Sequence, residues 1–85
     1  MRNFIIAGNW KMNMTNDNTK EFLEDLKTKI SNFEFKNKIE IIICPPFTSL
    51  LTAKECMKDS AIKIGAQNMF HKKTGAYTGE ISPIM

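Results

Sequence analysis

Three features of this 85-residue sequence predict an α/β fold built on a parallel sheet. Strand-like and helix-like apolar periods alternate in the order β-α-β-α-β. The connections are long enough for right-handed crossovers. The middle strand, Ile39 to Cys44, is an apolar run broken only by Glu40, the pattern of a strand covered on both faces.

Each element has its own signal. Phe4 to Ala7 is apolar, rich in β-branched residues and closed by Gly8, which predicts a buried strand. Asn13 to Asn18 is polar and turn-like. Asn18 with Glu21 three residues on has capping-box spacing, so a helix is expected to start at Asn18. Phe22, Leu23, Leu26, Ile30 and Phe33 then recur at helical spacing, with Lys20, Glu24, Asp25, Lys27 and Lys29 largely on the other face. Ser31-Asn32 and the polar stretch Glu34 to Lys38 end it. Pro45-Pro46 stops the second strand, since neither residue can donate to a ladder. Thr48 or Ser49 can cap a second helix carrying Leu50, Leu51, Ala53, Lys54 and Met57. Ile62 to Ala66 reads as a third strand. Gln67 to Ile81 has no clear period, and a loop that long is uncommon without a function. Ser82-Pro83 then pairs a cap residue with Pro at a first helical position, a helix-start signal close to Met85. Two helices cover only one face of a parallel sheet, so the expectation is a chain that is part of something larger, an incomplete single domain over residues 1–85.

Composition narrows the function classes. At 42% hydrophobic and 25% charged, the chain has the make-up of one soluble domain. A chain this short buries only roughly 60–65% of its unfolded surface, which excludes a large enzyme complete in itself. No window approaches the roughly 18 apolar residues of a membrane span. Met1-Arg2-Asn3-Phe4 leads into an apolar run too short for a signal-peptide core. The net charge of +3 comes from eleven scattered lysines and one arginine, Arg2, rather than from a basic face, which argues against nucleic-acid binding. Cys44 and Cys56 fit neither a disulfide framework nor a zinc pattern and read as reduced, part-buried thiols of an intracellular protein.

Chemistry in parallel α/β folds gathers at the carboxyl ends of the strands. Those ends carry Gly8-Asn9-Trp10-Lys11, Cys44-Pro45-Pro46 and Gln67-Asn68. Asn9 and Lys11 stand two apart, so an extended segment would point both side chains the same way. An ammonium beside an amide suits an anion, either a phosphate or a developing oxyanion.

Phe4-Ile5-Ile6-Ala7-Gly8-Asn9-Trp10-Lys11-Met12-Asn13 closely resembles the opening of the triosephosphate isomerase family. Cys44-Pro45-Pro46-Phe47-Thr48 looks like that family's second strand-to-helix turn. Gly65-Ala66-Gln67-Asn68 and Gly75-Ala76-Tyr77-Thr78-Gly79-Glu80-Ile81-Ser82 look like its third strand and long third loop. The resemblance runs from residue 3 to residue 85. It implies a partial (β/α)8 TIM barrel: β-α-β-α-β, the long third loop and the start of a helix. It implies a cytoplasmic, homodimeric isomerase of glycolysis and gluconeogenesis that interconverts dihydroxyacetone phosphate and glyceraldehyde 3-phosphate through an enediolate, with no cofactor and no metal.

By the same match, Lys11 is catalytic, binding the phosphorylated triose and stabilising negative charge, and Asn9 helps hold the substrate. The third loop would insert beside the first loop of a neighbouring subunit, with Gly75 and Thr78 at the dimer interface and Met12 under the partner's loop. The family's histidine, in a Gly-His-Ser-Glu sequence, and its glutamate base follow later and are not in this chain, so residues 1–85 alone should be inactive. His71 is not that histidine and reads as a solvated loop residue. Glu80, in the matched loop, reads as a structural ion-pairing residue rather than the base. The alternative is a stand-alone β-α-β-α-β binding or interaction module. A Rossmann-like half lacks support, because neither G-x-G-x-x-G nor a P-loop is present.

Overall fold

The structure, a computed structural model, describes residues 3–85; the N-terminal reading on Met1 and Arg2 lies outside the described residues. The elements are β1 (Phe4–Asn9), α1 (Asn16–Ser31), β2 (Ile39–Cys44), a 3-10 turn (Phe47–Ser49), α2 (Leu50–Cys56) and β3 (Lys63–Ile64). The strands form one parallel sheet in the order β1-β2-β3. Phe4 pairs with Ile39 and Asn9 with Cys44, while Ile42 pairs with Lys63 and Ile43 with Ile64.

Several boundaries differ from the sequence expectation, each for a physical reason. β1 runs through Gly8 to Asn9, because β2 continues to Cys44 and gives both residues a ladder partner. α1 begins before Asn18: Thr15 is the N-cap, and its Oγ1 accepts from the Asn18 N–H at 3.2 Å. Asn18 is thus the residue being capped. Ser49 precedes α2 but makes no side-chain cap, because its hydroxyl is engaged with α1 instead. Thr19 Oγ1 lies 2.7 Å from the Thr15 carbonyl and 3.0 Å from Ser49 Oγ. One hydroxyl proton cannot serve both, so Thr19 donates to the carbonyl and Ser49 donates across to Thr19. Both residues are fully buried. β3 is only two residues long, shorter than Ile62 to Ala66, and the Gly65 N–H adds one more bond to Ile43 O at 2.8 Å. Ser82 to Met85 forms a single turn, closed by Met85 N–H to Ser82 O at 3.2 Å.

Alternation along β2 sorts the sheet into two faces. Ile41 and Ile43 turn toward the helices, where Leu23, Ala53, Cys56, Met57 and Ile62 form the core with Ile43. Leu26, Ile30 and Ile64 pack against it. The Lys27 ammonium on α1 donates to the Cys56 carbonyl at 3.1 Å, occupying an orphan acceptor at the end of α2. Burial also pushes the Cys56 thiol pKa up, with the Glu24 carboxylate adding to it. That fits an inert packed thiol rather than a reactive one.

The opposite face carries Glu40, Ile42 and Cys44, with Ile5, Ala7 and Asn9 beside them by register. Among the described residues no element covers it, and the expected burial of the first two strands is not met. Phe4, Ile5 and Ile6 are all more than half exposed, and Ile43 is the only buried residue of β2. The Cα radius of gyration is 14.6 Å, against about 12 Å for a compact domain of this length. The chain is an arc of sheet with helices on one side.

An ion pair on the open face tests that assignment. Lys63 Nζ donates to Glu40 Oε1 at 2.6 Å. This hydrogen bond, and then the lysine's charge, hold the Glu40 carboxyl below its ordinary value. A carboxyl with a depressed folded pKa contributes stability above the ordinary glutamate range and loses it as pH falls through the folded value. Lys63→Met should therefore raise the Glu40 midpoint in a carboxyl-carbon NMR titration. An unmoved midpoint would mean the pair does not form.

Candidate active site

The carboxyl ends of the three strands meet at one place, and β1 hands over to the first loop there. Trp10 N–H donates to Cys44 O at 3.1 Å, which continues the ladder one residue beyond β1. The chain then turns sharply. Lys11 has φ 58, in the left-handed region, and so the extended geometry expected for Asn9-Trp10-Lys11 is not adopted. A left-handed residue that is not glycine costs about 1–2 kcal/mol and persists only when its surroundings fix it.

Three side-chain amides fix it. Asn9 Oδ1 accepts from the Lys11 N–H at 2.9 Å. Asn13 Nδ2 donates to Trp10 O at 2.7 Å. Gln67 Nε2, arriving from just beyond β3, donates to Lys11 O and to Cys44 O, both at 2.9 Å. The partners decide each amide's orientation: a backbone N–H needs the Asn9 oxygen, and two carbonyls need the Gln67 nitrogen. The Trp10 ring is anchored edge-to-face on Phe22 of α1, with centroids 5.6 Å apart. This ties the loop to the first helix.

The chemical consequence is specific. With Asn9 Oδ1 engaged, its two Nδ2–H donors are left for a ligand. The Lys11 side chain is exposed. An amide donor and a lysine at the mouth of the sheet have the chemistry that suits an anion. Among the described residues, no group of three His, Cys, Asp or Glu side chains could hold a metal ion.

The third loop is ordered by its own contacts. Phe70 N–H donates to Ile81 O at 2.8 Å and closes its ends, and Glu80 N–H donates to Tyr77 O at 3.1 Å. Phe70 stacks on both His71 and Tyr77, each at 4.4 Å. Gly75 has φ 146, and a Cβ there would lie 2.5 Å from the Tyr77 ring, so both backbone and packing require glycine. Thr78 and His71 are exposed on this loop. Met12, at the tip of the first loop, is 95% exposed.

A sequence model of the triosephosphate isomerase family matches residues 4–85. This chain belongs to the triosephosphate isomerase family. The triosephosphate isomerases of Dictyoglomus thermophilum and Clostridium tetani are 56% and 44% identical to it over all 85 residues. The crystal structure of triosephosphate isomerase from Bartonella henselae superposes with a TM-score of 0.76 at 36% identity. That match covers 91% of this chain and 30% of the Bartonella chain. The chain spans about a third of the length of the curated relatives it matches.

The fold is therefore part of an α/β barrel. In a (β/α)8 barrel the helices are outside, so the face bearing Glu40, Ile42, Cys44, Lys63 and Asn9 is the inner one. The open face of the arc is the lining of the barrel in the triosephosphate isomerase architecture. Asn9 ends β1 at the carboxyl-end mouth, and its Oδ1 meets the Lys11 backbone N–H. The two residues are thus joined through a turn and not along the extended segment that the sequence pattern predicts. Gln67, the residue that connects them to β2 and β3, stands in the Gln67-Asn68 strand end and in the matched Gly65-Ala66-Gln67-Asn68 stretch, but neither reading gives its side chain a role. Its role arises from carbonyls 56 and 23 residues away along the chain.

Proposed function

We propose that this chain supplies part of a triose-phosphate isomerase, the part that binds the anionic substrate. The carrying observation is the amide network that holds Lys11 in a left-handed turn beside Asn9 at the strand ends. Backbone strain held at a cationic loop residue by three side-chain amides supports a functional position.

The reaction moves a proton between adjacent carbons of dihydroxyacetone phosphate or glyceraldehyde 3-phosphate, by way of an enediolate. Negative charge exists on the phosphate throughout and develops on oxygen in the transition state. The Lys11 ammonium attracts the first and stabilises the second, and the Asn9 Nδ2–H donors fix the substrate's orientation. No carboxylate of residues 1–85 is assigned the role of base. The family's histidine and glutamate belong to later units, so these residues alone bind but do not turn over. The enzyme would be cytoplasmic, serve glycolysis and gluconeogenesis and use no cofactor.

The second part of the reading is a homodimer through the third loop. Met12 is nearly fully exposed, and Gly75 and Thr78 stand on a loop whose ends are closed by its own hydrogen bonds. A long thioether left in water and a preformed projecting loop suit an isologous contact, each loop covering the other copy's Met12. A self-sufficient binding module is disfavoured, because β1 is exposed on both faces and would present an unprotected edge.

The test is a chimera: residues 1–85 of this chain joined to the remaining two-thirds of the Dictyoglomus thermophilum relative. It should interconvert the two triose phosphates in a coupled assay, while the 85 residues alone show no turnover. A folded but inert chimera overturns the reading.

A further inference from the structure

We propose that Gln67 is a positioning residue for Lys11: its carboxamide clamps the first loop to the end of β2 and keeps Lys11 in its left-handed conformation. This rests on the isomerase reading above and extends it to a residue on a different strand unit.

The argument begins from hydrogen-bond accounting. Cys44 O has two lone pairs, and both are used, one by Trp10 N–H at 3.1 Å and one by Gln67 Nε2 at 2.9 Å. Gln67 spends its second N–H on Lys11 O at 2.9 Å. One planar amide therefore ties the end of β2 to the peptide after Lys11 and sets how that peptide is turned. Rotating that peptide would break the bond to Lys11 O and release the turn in which the Lys11 N–H meets Asn9 Oδ1.

Position matters as much as bonding. Gln67 is exposed in this arc, where water competes for both carbonyls. A long, flexible side chain loses rotamer freedom to make such contacts. A glutamine held to two carbonyls at a barrel mouth thus does something other than fill the core. Gly65, two residues earlier, shows how tightly this corner is set, since a Cβ there would lie 3.0 Å from the Cys44 Sγ. β3 is thereby held close against β2, which brings Gln67 within reach of Lys11.

The experiment uses the whole chimeric barrel. Gln67→Leu keeps a side chain of similar bulk and removes both donors, and Gln67→Glu keeps the shape and turns acceptor oxygens toward two carbonyls. Both should lower kcat/KM for glyceraldehyde 3-phosphate by on the order of 10-fold to 100-fold, the cost of displacing a catalytic group by about an ångström. The loss should include a raised KM and leave the breakpoints of the pH profile unmoved, because the proton-transferring group is elsewhere. In a Lys11→Met background, Gln67→Leu should cost less than about twofold more, since its effect passes through Lys11.

An equal loss in both backgrounds overturns the proposal. So does a loss that disappears as protein concentration is raised, which would assign Gln67 to subunit assembly. Unfolding of both variants would assign it to the fold and likewise overturn it. An inactive parent chimera is a separate failure, that of the isomerase reading itself.

Discussion

Lys11→Met in the chimeric barrel should lower kcat/KM for glyceraldehyde 3-phosphate by about 10²–10³-fold, the usual cost of removing one preorganised stabilising group from a transition state. Methionine keeps most of the stem and removes the charge. The backbone should hold its left-handed turn, because Asn9, Asn13 and Gln67 contact main-chain atoms of residues 10 and 11 rather than the lysine side chain. The variant should therefore fold with an unchanged denaturation midpoint and lose only activity. Lys11→Arg should restore little, since a planar guanidinium carries its charge in a broader fork than the compact ammonium. Steady-state kinetics beside a denaturant titration separates the outcomes. Activity within threefold of the parent would make Lys11 an ordinary solvated loop lysine.

The parts of this molecule that could be read from its sequence are those decided by neighbours along the chain. The Ile39–Cys44 run followed by two prolines fixes β2 at both ends. The spacing of Leu23, Leu26 and Ile30 fixes the buried stripe of α1. What could not be read was decided at a distance or between near-equals. Thr15 and Asn18 are both good caps, and geometry makes one the cap and the other its donor. Ser49 is spoken for by Thr19, thirty positions earlier. The turn at Lys11 carries no glycine to announce it, because its strain is held by an amide from beyond β3. The exposure of β1 is similar. Its apolar residues describe the environment of a closed barrel, in which a further strand would flank it.

Leu23→Ala is the substitution with the largest expected effect on folding. Leu23 is fully buried at the centre of the cluster formed by Ile43, Ala53, Cys56, Met57 and Ile62. It joins α1 both to the sheet and to α2. Truncation removes the burial of its outer carbons and leaves a cavity between two helices and a strand, which together cost about 2–5 kcal/mol. A self-sufficient domain of this length is stable by only about 4–13 kcal/mol. The arc, with one face of its sheet open, has less than that to lose. In the 85-residue chain the change should abolish what cooperative unfolding there is. In the chimera it should lower the denaturant midpoint with the slope unchanged, the signature of lost packing rather than a remodelled unfolded state. Leu26→Ala, one turn on and only half-buried, should cost visibly less. The order of the two losses is the discriminating result. If they are equal, or if Leu26 costs more, α1 is not seated on β2 through Leu23, and the placement of the first loop that α1 supports through Phe22 and Trp10 loses its foundation.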